Sequence, residues 1–177
     1  MKRVLCILEN GFEEIEAITP VDLLRRAGVE VLIAGVSGRE VTGKCGVRVT
    51  ADALFGQASG EDFDALFLPG GPAVMELRKK GDVISLIRGF HAAGKPIAAI
   101  CAAPLLLKDA GVLEGKSFIA HFSTVNELPE STGERVVMDG LLLTSRGAGT
   151  ALDFGFALVE MLCGKAVADE IGRAVMV

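Results

Sequence analysis

Cys101 is the residue of this 177-residue chain best placed to do chemistry. It follows the apolar run Ile97-Ala98-Ala99-Ile100 and precedes Ala102-Ala103-Pro104. That pattern puts it where a strand turns into a helix. Ala99 and Ala103, two residues to either side, are small, as a nucleophile on a sharp strand-to-helix elbow requires. A thiol with an unperturbed pKa of about 8.5 is ionised only to a few per cent at neutral pH. Helix N–H groups and the positive end of the helix macrodipole would raise that share. A second reading stands beside this one: free cysteine is commonly just a small buried core residue.

Glu16 is the second candidate. Glu13, Glu14 and Glu16 follow Gly11 beyond the first strand, and an acidic first turn is an ordinary preference of helix starts. Glu16 differs from the other two because Ile15, Ala17 and Ile18 around it are apolar. An inward carboxyl is expected to have a raised pKa, to donate a hydrogen bond to a thiolate, and to carry a proton during turnover. Pro69-Gly70-Gly71-Pro72 at a strand end is either a plain turn or a source of exposed backbone N–H groups for an oxyanion. Gly71 and Ala102 are the natural donors. His121, at the end of another strand, reads either as a structural histidine or as a further proton carrier.

Other chemistries are excluded by residue type and spacing. Cys6, Cys45, Cys101 and Cys163 form no C-x-x-C pair, and His91 and His121 stand too far apart for a zinc motif. No metal site is expected. Arg146-Gly147-Ala148-Gly149 lacks the full glycine fingerprint and no Walker lysine precedes Thr150, so no nucleotide site is expected. Cys45, in a glycine-flanked turn, is expected to be exposed and open to oxidation.

The elements that must position these groups alternate between strand and helix. Strands are expected at Arg3–Leu8, Glu30–Gly35, Asp64–Leu68 and Pro96–Ile100, each a short apolar run of the kind covered on both faces. Further short strands are expected at Ser117–Ala120, Val136–Met138 and Leu141–Thr144, the last two joined by an Asp139-Gly140 turn. A hairpin broken by Gly43 and Gly46 is expected over Glu40–Thr50. Helices are expected over Glu13–Ala27, with a bend from Pro20 near Glu16, over about Asp82–Ala93 and Pro104–Ala110, and over Gly149–Cys163, where Gly164 acts as a stop. This order predicts one domain over residues 1–177, α/β in class, with a mostly parallel central sheet between helices. Ligands of such folds gather beyond the carboxyl ends of the strands. Glu16, Gly71, Cys101, His121 and Ser145–Gly149 all fall there.

Composition narrows the partners. Eighteen Lys and Arg against 23 Asp and Glu give a net charge of −5, and Trp and Tyr are absent. Neither a basic nucleic-acid face nor an aromatic stacking platform is expected. No apolar run is long enough for a signal-peptide core or a bilayer span, so a cytoplasmic location is expected.

Five motifs in order resemble one known family. They are Gly11-Phe12-Glu13-Glu14-Ile15-Glu16; Pro20-Val21-Asp22 with Arg25-Arg26-Ala27-Gly28; Leu68-Pro69-Gly70-Gly71; Ala98-Ala99-Ile100-Cys101-Ala102; and Leu143-Thr144-Ser145-Arg146-Gly147. Together they resemble the ThiJ/PfpI superfamily, in the branch of the Parkinsonism-associated deglycase. The resemblance implies a flavodoxin-like three-layer sandwich and a homodimer, with Arg25 and Arg26 at a basic pair near the dimer interface. It assigns Cys101 as nucleophile on its elbow, Glu16 as the carboxylic acid on the sulfur, Gly71 and Ala102 as oxyanion-hole donors, and His121 as the nearby histidine. It implies a cofactor-independent enzyme of the glyoxalase III or deglycase type, taking a small aldehyde such as methylglyoxal to lactate, or a glycated substrate. The alternative it carries is a redox-sensing or chaperone protein working through oxidation of Cys101. The family's protease branch has histidine directly after the cysteine; Ala102 stands there, which counts against peptide hydrolysis.

Overall fold

Contiguous apolar runs form the centre of the molecule because they can be buried on both faces. In the computed structural model, which describes residues 1–58 and 62–177, β1 (Arg3–Leu8) leads into α1 (Glu14–Arg26). Next come β2 (Glu30–Gly35), the hairpin strands β3 (Glu40–Thr42) and β4 (Arg48–Thr50), β5 (Ala53–Leu54) and α2 (Phe55–Ala58). β6 (Ala65–Leu68), α3 (Ala73–Leu77), α4 (Gly81–Ala92), β7 (Ile97–Ile100) and α5 (Pro104–Asp109) follow. The chain then continues through β8 (Val136–Asp139), β9 (Leu142–Ser145), α6 (Ala151–Cys163) and α7 (Lys165–Ala174).

The main sheet runs in the order β5-β2-β1-β6-β7-β9-β8, and β3 and β4 make a separate two-stranded sheet. All pairings in the main sheet are parallel except β8 with β9. Every residue of β6, β7 and β9 is buried. One apolar core joins the sheet to α1, α6 and α7, and contains Val21, Leu24, Phe154 and Ile171. The other joins it to α2, α3, α4 and α5, and contains Leu77, Ile87 and Leu106. The result is a three-layer α/β sandwich with a mostly parallel central sheet. The chain leaves β1 for β2 on one side and returns to β6 on the other. That reversal opens a crevice at the strands' carboxyl ends, where α1 begins and Gly70 and Gly71 turn.

Several elements differ from the sequence-based expectation, among them β5 and α2, which lie where no element is expected. Ser117–Ala120 forms no strand. The N–H groups of Ile119 and Ala120 donate to the hydroxyls of Thr144 and Ser131, at 3.0 and 2.9 Å, in place of a backbone ladder. Gly164 ends α6, but the chain starts α7 at the next residue, with a Lys165–Asp169 pair one turn apart supporting it. α3 follows Pro72 directly and was not expected. α1 carries Pro20 inside it without ending. No described helix is long and apolar enough to cross a membrane.

Candidate active site

Cys101 follows β7 with φ +66°, one of two non-glycine residues among those described with positive φ. A side chain in this region costs about 1–2 kcal/mol, and it persists only where surrounding bonds fix it. Here they do: the Cys101 N–H donates to the Ser145 carbonyl at 2.9 Å, and its own carbonyl accepts from the His121 N–H at 2.8 Å. Cys101 is thereby tied to β9 on one side and to the His121 segment on the other. The elbow is present as the sequence suggests.

Glu16 reaches the same point from α1. Glu13 caps that helix, its carboxylate accepting from the Glu16 N–H at 2.8 Å, which fixes where the first turn starts. Glu16 is then directed inward and is 1% exposed, while Cys101 is 8% exposed. Both line the same cleft, the carboxyl deeper than the sulfur. Glu16 Oε2 accepts from the Gly70 N–H at 3.1 Å, and the side chain is hydrogen-bonded to the Cys101 sulfur. Glycine is forced at position 70, since a Cβ there would lie 2.5 Å from both Cys101 Cβ and Glu16 Oε2. Gly71 has φ +94°, and a Cβ would meet the Gly11 carbonyl oxygen at 2.5 Å.

The electrostatics differ from the helix-terminus argument. Burial pushes the Cys101 thiol up to about 12, with the charge and hydrogen bond of Glu16 adding to that effect. The N–H groups of Gly71 and Ala102, which donate to the sulfur, work against it. Burial also lifts the Glu16 carboxyl to about 7, opposed by its Cys101 hydrogen bond and reinforced by the charge of Glu13. The two groups therefore share protons as a pair. A proton on Glu16 favours the thiolate; a proton on sulfur leaves a carboxylate that opposes its loss. The anion depends on the carboxyl, not on the turn alone.

His121 stands at the edge of the same space. A Cβ built on Gly147 would lie 3.4 Å from Glu16 Oε1, 3.4 Å from His121 Cδ2 and 3.8 Å from Cys101 Sγ. The bare Gly147 backbone thus keeps open the space on which all three side chains converge. His121 Nδ1 accepts from the Ser123 N–H at 3.3 Å and lies 2.8 Å from its hydroxyl, which leaves the ring proton on Nε2. Burial, then the Lys44 charge, lowers its pKa, so the ring is neutral at pH 7. Cys45 is exposed, as its turn suggests, and all four cysteines are free.

These groups line a cleft of about 490 Å³ whose further walls include Lys44, Met75, Ser123, Asn126 and Glu127. None of those five is a candidate on sequence grounds. Lys44 carries the one visible signal, a cation between the two glycines of the hairpin turn. The 122–127 segment had none, because its role depends on the chain folding back over Cys101. No group of three or more His, Cys, Asp or Glu among the described residues could hold a metal.

Fold and site define an α/β protein with an elbow cysteine paired to a buried carboxyl. Residues 2–161 match the DJ-1/PfpI family, and the chain belongs to it. It is 38% identical to protein dj-1beta of Drosophila melanogaster in an alignment of 183 positions that covers 99% of this chain and 97% of that one. The crystal structure of that relative superposes with a TM-score of 0.95, covering 99% and 98% of the two chains. Identity to deglycase PfpI of Pyrococcus furiosus is 35%, over 90% of this chain and 99% of the relative. The solved structure of oxidized Toxoplasma gondii DJ-1 gives a TM-score of 0.95 at 32% identity, over 99% of this chain and 98% of that one.

Proposed function

We propose that the protein is a cofactor-independent cysteine enzyme acting on small reactive dicarbonyls or early glycation adducts. The observation that carries this is the buried Glu16 carboxyl hydrogen-bonded to a reachable Cys101 sulfur inside one cleft. The Cys101 thiolate adds to the aldehyde carbon of methylglyoxal, and its oxygen takes a proton to give a hemithioacetal. Glu16 removes the proton from that carbon and returns one to the adjacent carbon, so the first carbon is oxidised to a thioester as the second is reduced to an alcohol. Water cleaves the thioester, releasing lactate and the thiol. The N–H groups of Gly71 and Ala102 stabilise the developing oxyanion, and neutral His121 assists proton transfer at the cleft edge. On a hemiaminal adduct the C–N bond breaks first, the nitrogen taking a proton as the hydroxyl loses one, and the thiolate then adds to the aldehyde carbon so released.

The relative named deglycase PfpI supports this reading. The test is lactate formation from methylglyoxal: Cys101→Ser is expected to lower kcat/KM at least about a hundredfold, and a wild-type rate would refute the assignment.

A second reading has its own observation. Two N–H groups and a protonatable carboxyl already surround the sulfur, and the same set can hold a cysteine sulfinate. Peroxide followed by mass spectrometry is expected to add two oxygens at Cys101 before Cys45 gains them. The four reduced thiols fit a cytoplasmic setting. A homodimer fits Ile15 and Ile18 on α1, which are 53% and 40% exposed, beside Val47 at 53%. Sedimentation of the purified chain reads that directly.

A further inference from the structure

Lys44 is fixed at the mouth of the Cys101 cleft by the backbone around it. Its N–H donates to the Phe12 carbonyl at 2.8 Å, and the Gly11 N–H donates to the Thr42 carbonyl at 2.8 Å. Glu14 Oε1 accepts from the N–H groups of Cys45 and Val47, at 2.7 and 3.3 Å. The hairpin tip is therefore sewn to the first turn of α1, the turn that carries Glu16. A Cβ at Gly43 would meet the Glu14 carboxyl, so a side chain there would have to push that carboxyl away from the Cys45 and Val47 N–H groups. Lys44 lines the cleft with Cys101 and His121, and its charge acts on His121 and Glu16.

The charges around it are unevenly matched. Glu127, the other ionised group on the walls, is held by Arg78 at 2.8 Å and by Lys108 at 3.7 Å. Glu16 lies at the floor of the cleft, where burial raises its pKa and its carboxyl is hydrogen-bonded to the sulfur. Lys44 has no ion-pair or side-chain hydrogen-bond partner among the described residues. Its charge is felt inside: after burial it lowers the pKa of His121, and it opposes, behind the Cys101 and Gly70 hydrogen bonds, the rise that burial imposes on Glu16. A cation without a partner, facing a reactive sulfur across a small cleft, favours ligands that bring the missing negative charge.

We propose that Lys44 makes this cleft selective for electrophiles that carry a carboxylate near the reacting carbon. The natural substrates on this inference are 2-oxoaldehydes and dicarbonyl adducts of amino acids that bear a free carboxylate. The inference rests on the reading of Cys101 as the reacting nucleophile. It adds that Lys44 pairs with the substrate anion on arrival and with the hydroxy-acid anion on release.

Iodoacetate and iodoacetamide test it without requiring turnover. They are similar in size and react with a thiolate by the same displacement of iodide, but only the first is an anion. The rate of each at Cys101 is followed in the native full chain by mass spectrometry of the Cys101 peptide, with free cysteine as reference. The iodoacetate-to-iodoacetamide ratio is expected to exceed the reference in wild type. Lys44→Gln is expected to lower the ratio by about three- to tenfold, Lys44→Glu further, and Lys44→Arg to preserve it. Raising the salt is expected to shrink the wild-type ratio and leave the Gln variant unmoved. An equal ratio in wild type and Lys44→Gln overturns the inference while leaving Cys101 as nucleophile. If neither reagent labels Cys101 in the native protein, the underlying reading of the site fails and this inference falls with it.

Discussion

The carboxyl of Glu16 is hydrogen-bonded to the sulfur of Cys101 through space that exists only because residue 70 has no side chain. Two groups that follow β1 and β7, the strands on either side of β6, thus meet in a buried pocket. Their protonation is one property rather than two.

The first consequence is kinetic. As pH rises through about 7, the pair loses one proton, and the remaining proton divides between oxygen and sulfur. Alkylation of Cys101 by iodoacetamide is expected to rise in a step centred near that pH and then level off. Glu16→Gln keeps a hydrogen-bonding amide but cannot ionise, so the step is expected to vanish. The full profile from pH 5 to 10 gives the answer; an unchanged step in the Gln variant would show that Glu16 does not share the proton.

The second is thermodynamic. The folded pKa of Glu16, about 7, lies above the ordinary carboxyl value of 4.5. The folded state therefore binds the proton more tightly than the unfolded chain does. That contribution to stability is complete below about pH 4.5 and is lost as pH rises through 7. Its size is on the order of 3 kcal/mol. Urea unfolding of wild type against Glu16→Gln at pH 5 and pH 8 is expected to show the variant gaining in relative stability at the higher pH. A difference independent of pH would place the Glu16 pKa near its unfolded value.

How much of this was legible beforehand depended on the range of the signal. β1 and β2 lie within the apolar runs that announced them, and β6 and β7 start one residue late. Burial on both faces leaves its mark directly in composition. Cys101 was legible because small residues and a proline bracket it locally, and Glu16 because its neighbours are apolar. Ser117–Ala120 was misread for the converse reason: it is apolar, but its hydrogen bonds go to side chains of distant Ser131 and Thr144. α7 was missed because a glycine that ends one helix can also begin the next. Lys44 and the 122–127 wall were invisible as a site, since only tertiary contacts bring them to the sulfur. The raised thiol pKa was hidden in the same way: it follows from enclosure, which no local pattern encodes.

Gly70 offers a steric test. Alanine would place a Cβ 2.5 Å from Cys101 Cβ and Glu16 Oε2, and 2.8 Å from the Ile100 carbonyl oxygen. Backbone and buried atoms surround it, so neighbours must shift. Gly70→Ala is expected to cost about 1–3 kcal/mol and to remove the pH 7 step in Cys101 alkylation, because carboxyl and sulfur are pushed apart. Gly56 has nothing within 4 Å of its Cβ position, and Gly56→Ala is expected to leave that step in place. Chemical denaturation and the alkylation profile together distinguish the two variants.

Arg78 links the cleft wall to the body of the protein. Its guanidinium holds Asp109 at the end of α5 with bonds of 2.7 and 2.9 Å, and Glu127 on the cleft wall with two bonds of 2.8 Å. The side chain is only 19% exposed, so both pairs are better shielded than an ordinary surface bridge. Lysine has one ammonium and cannot grip two carboxylates with a planar fork. Arg78→Lys is therefore expected to release the 122–127 segment while leaving the sheet intact. Amide exchange should rise across that segment, KM for a dicarbonyl should increase by about three- to tenfold, and kcat should change little. The Arg78 and Lys108 cations hold the Glu127 carboxyl below its usual range. The restraint is thus present at neutral pH and weakens as acid protonates Glu127. Exchange in the wild-type segment should increase on acidification, after correction for intrinsic rates, and the Lys variant should show a smaller increase. Equal protection of residues 122–127 in both proteins at pH 7 would mean that the wall is held by its backbone alone.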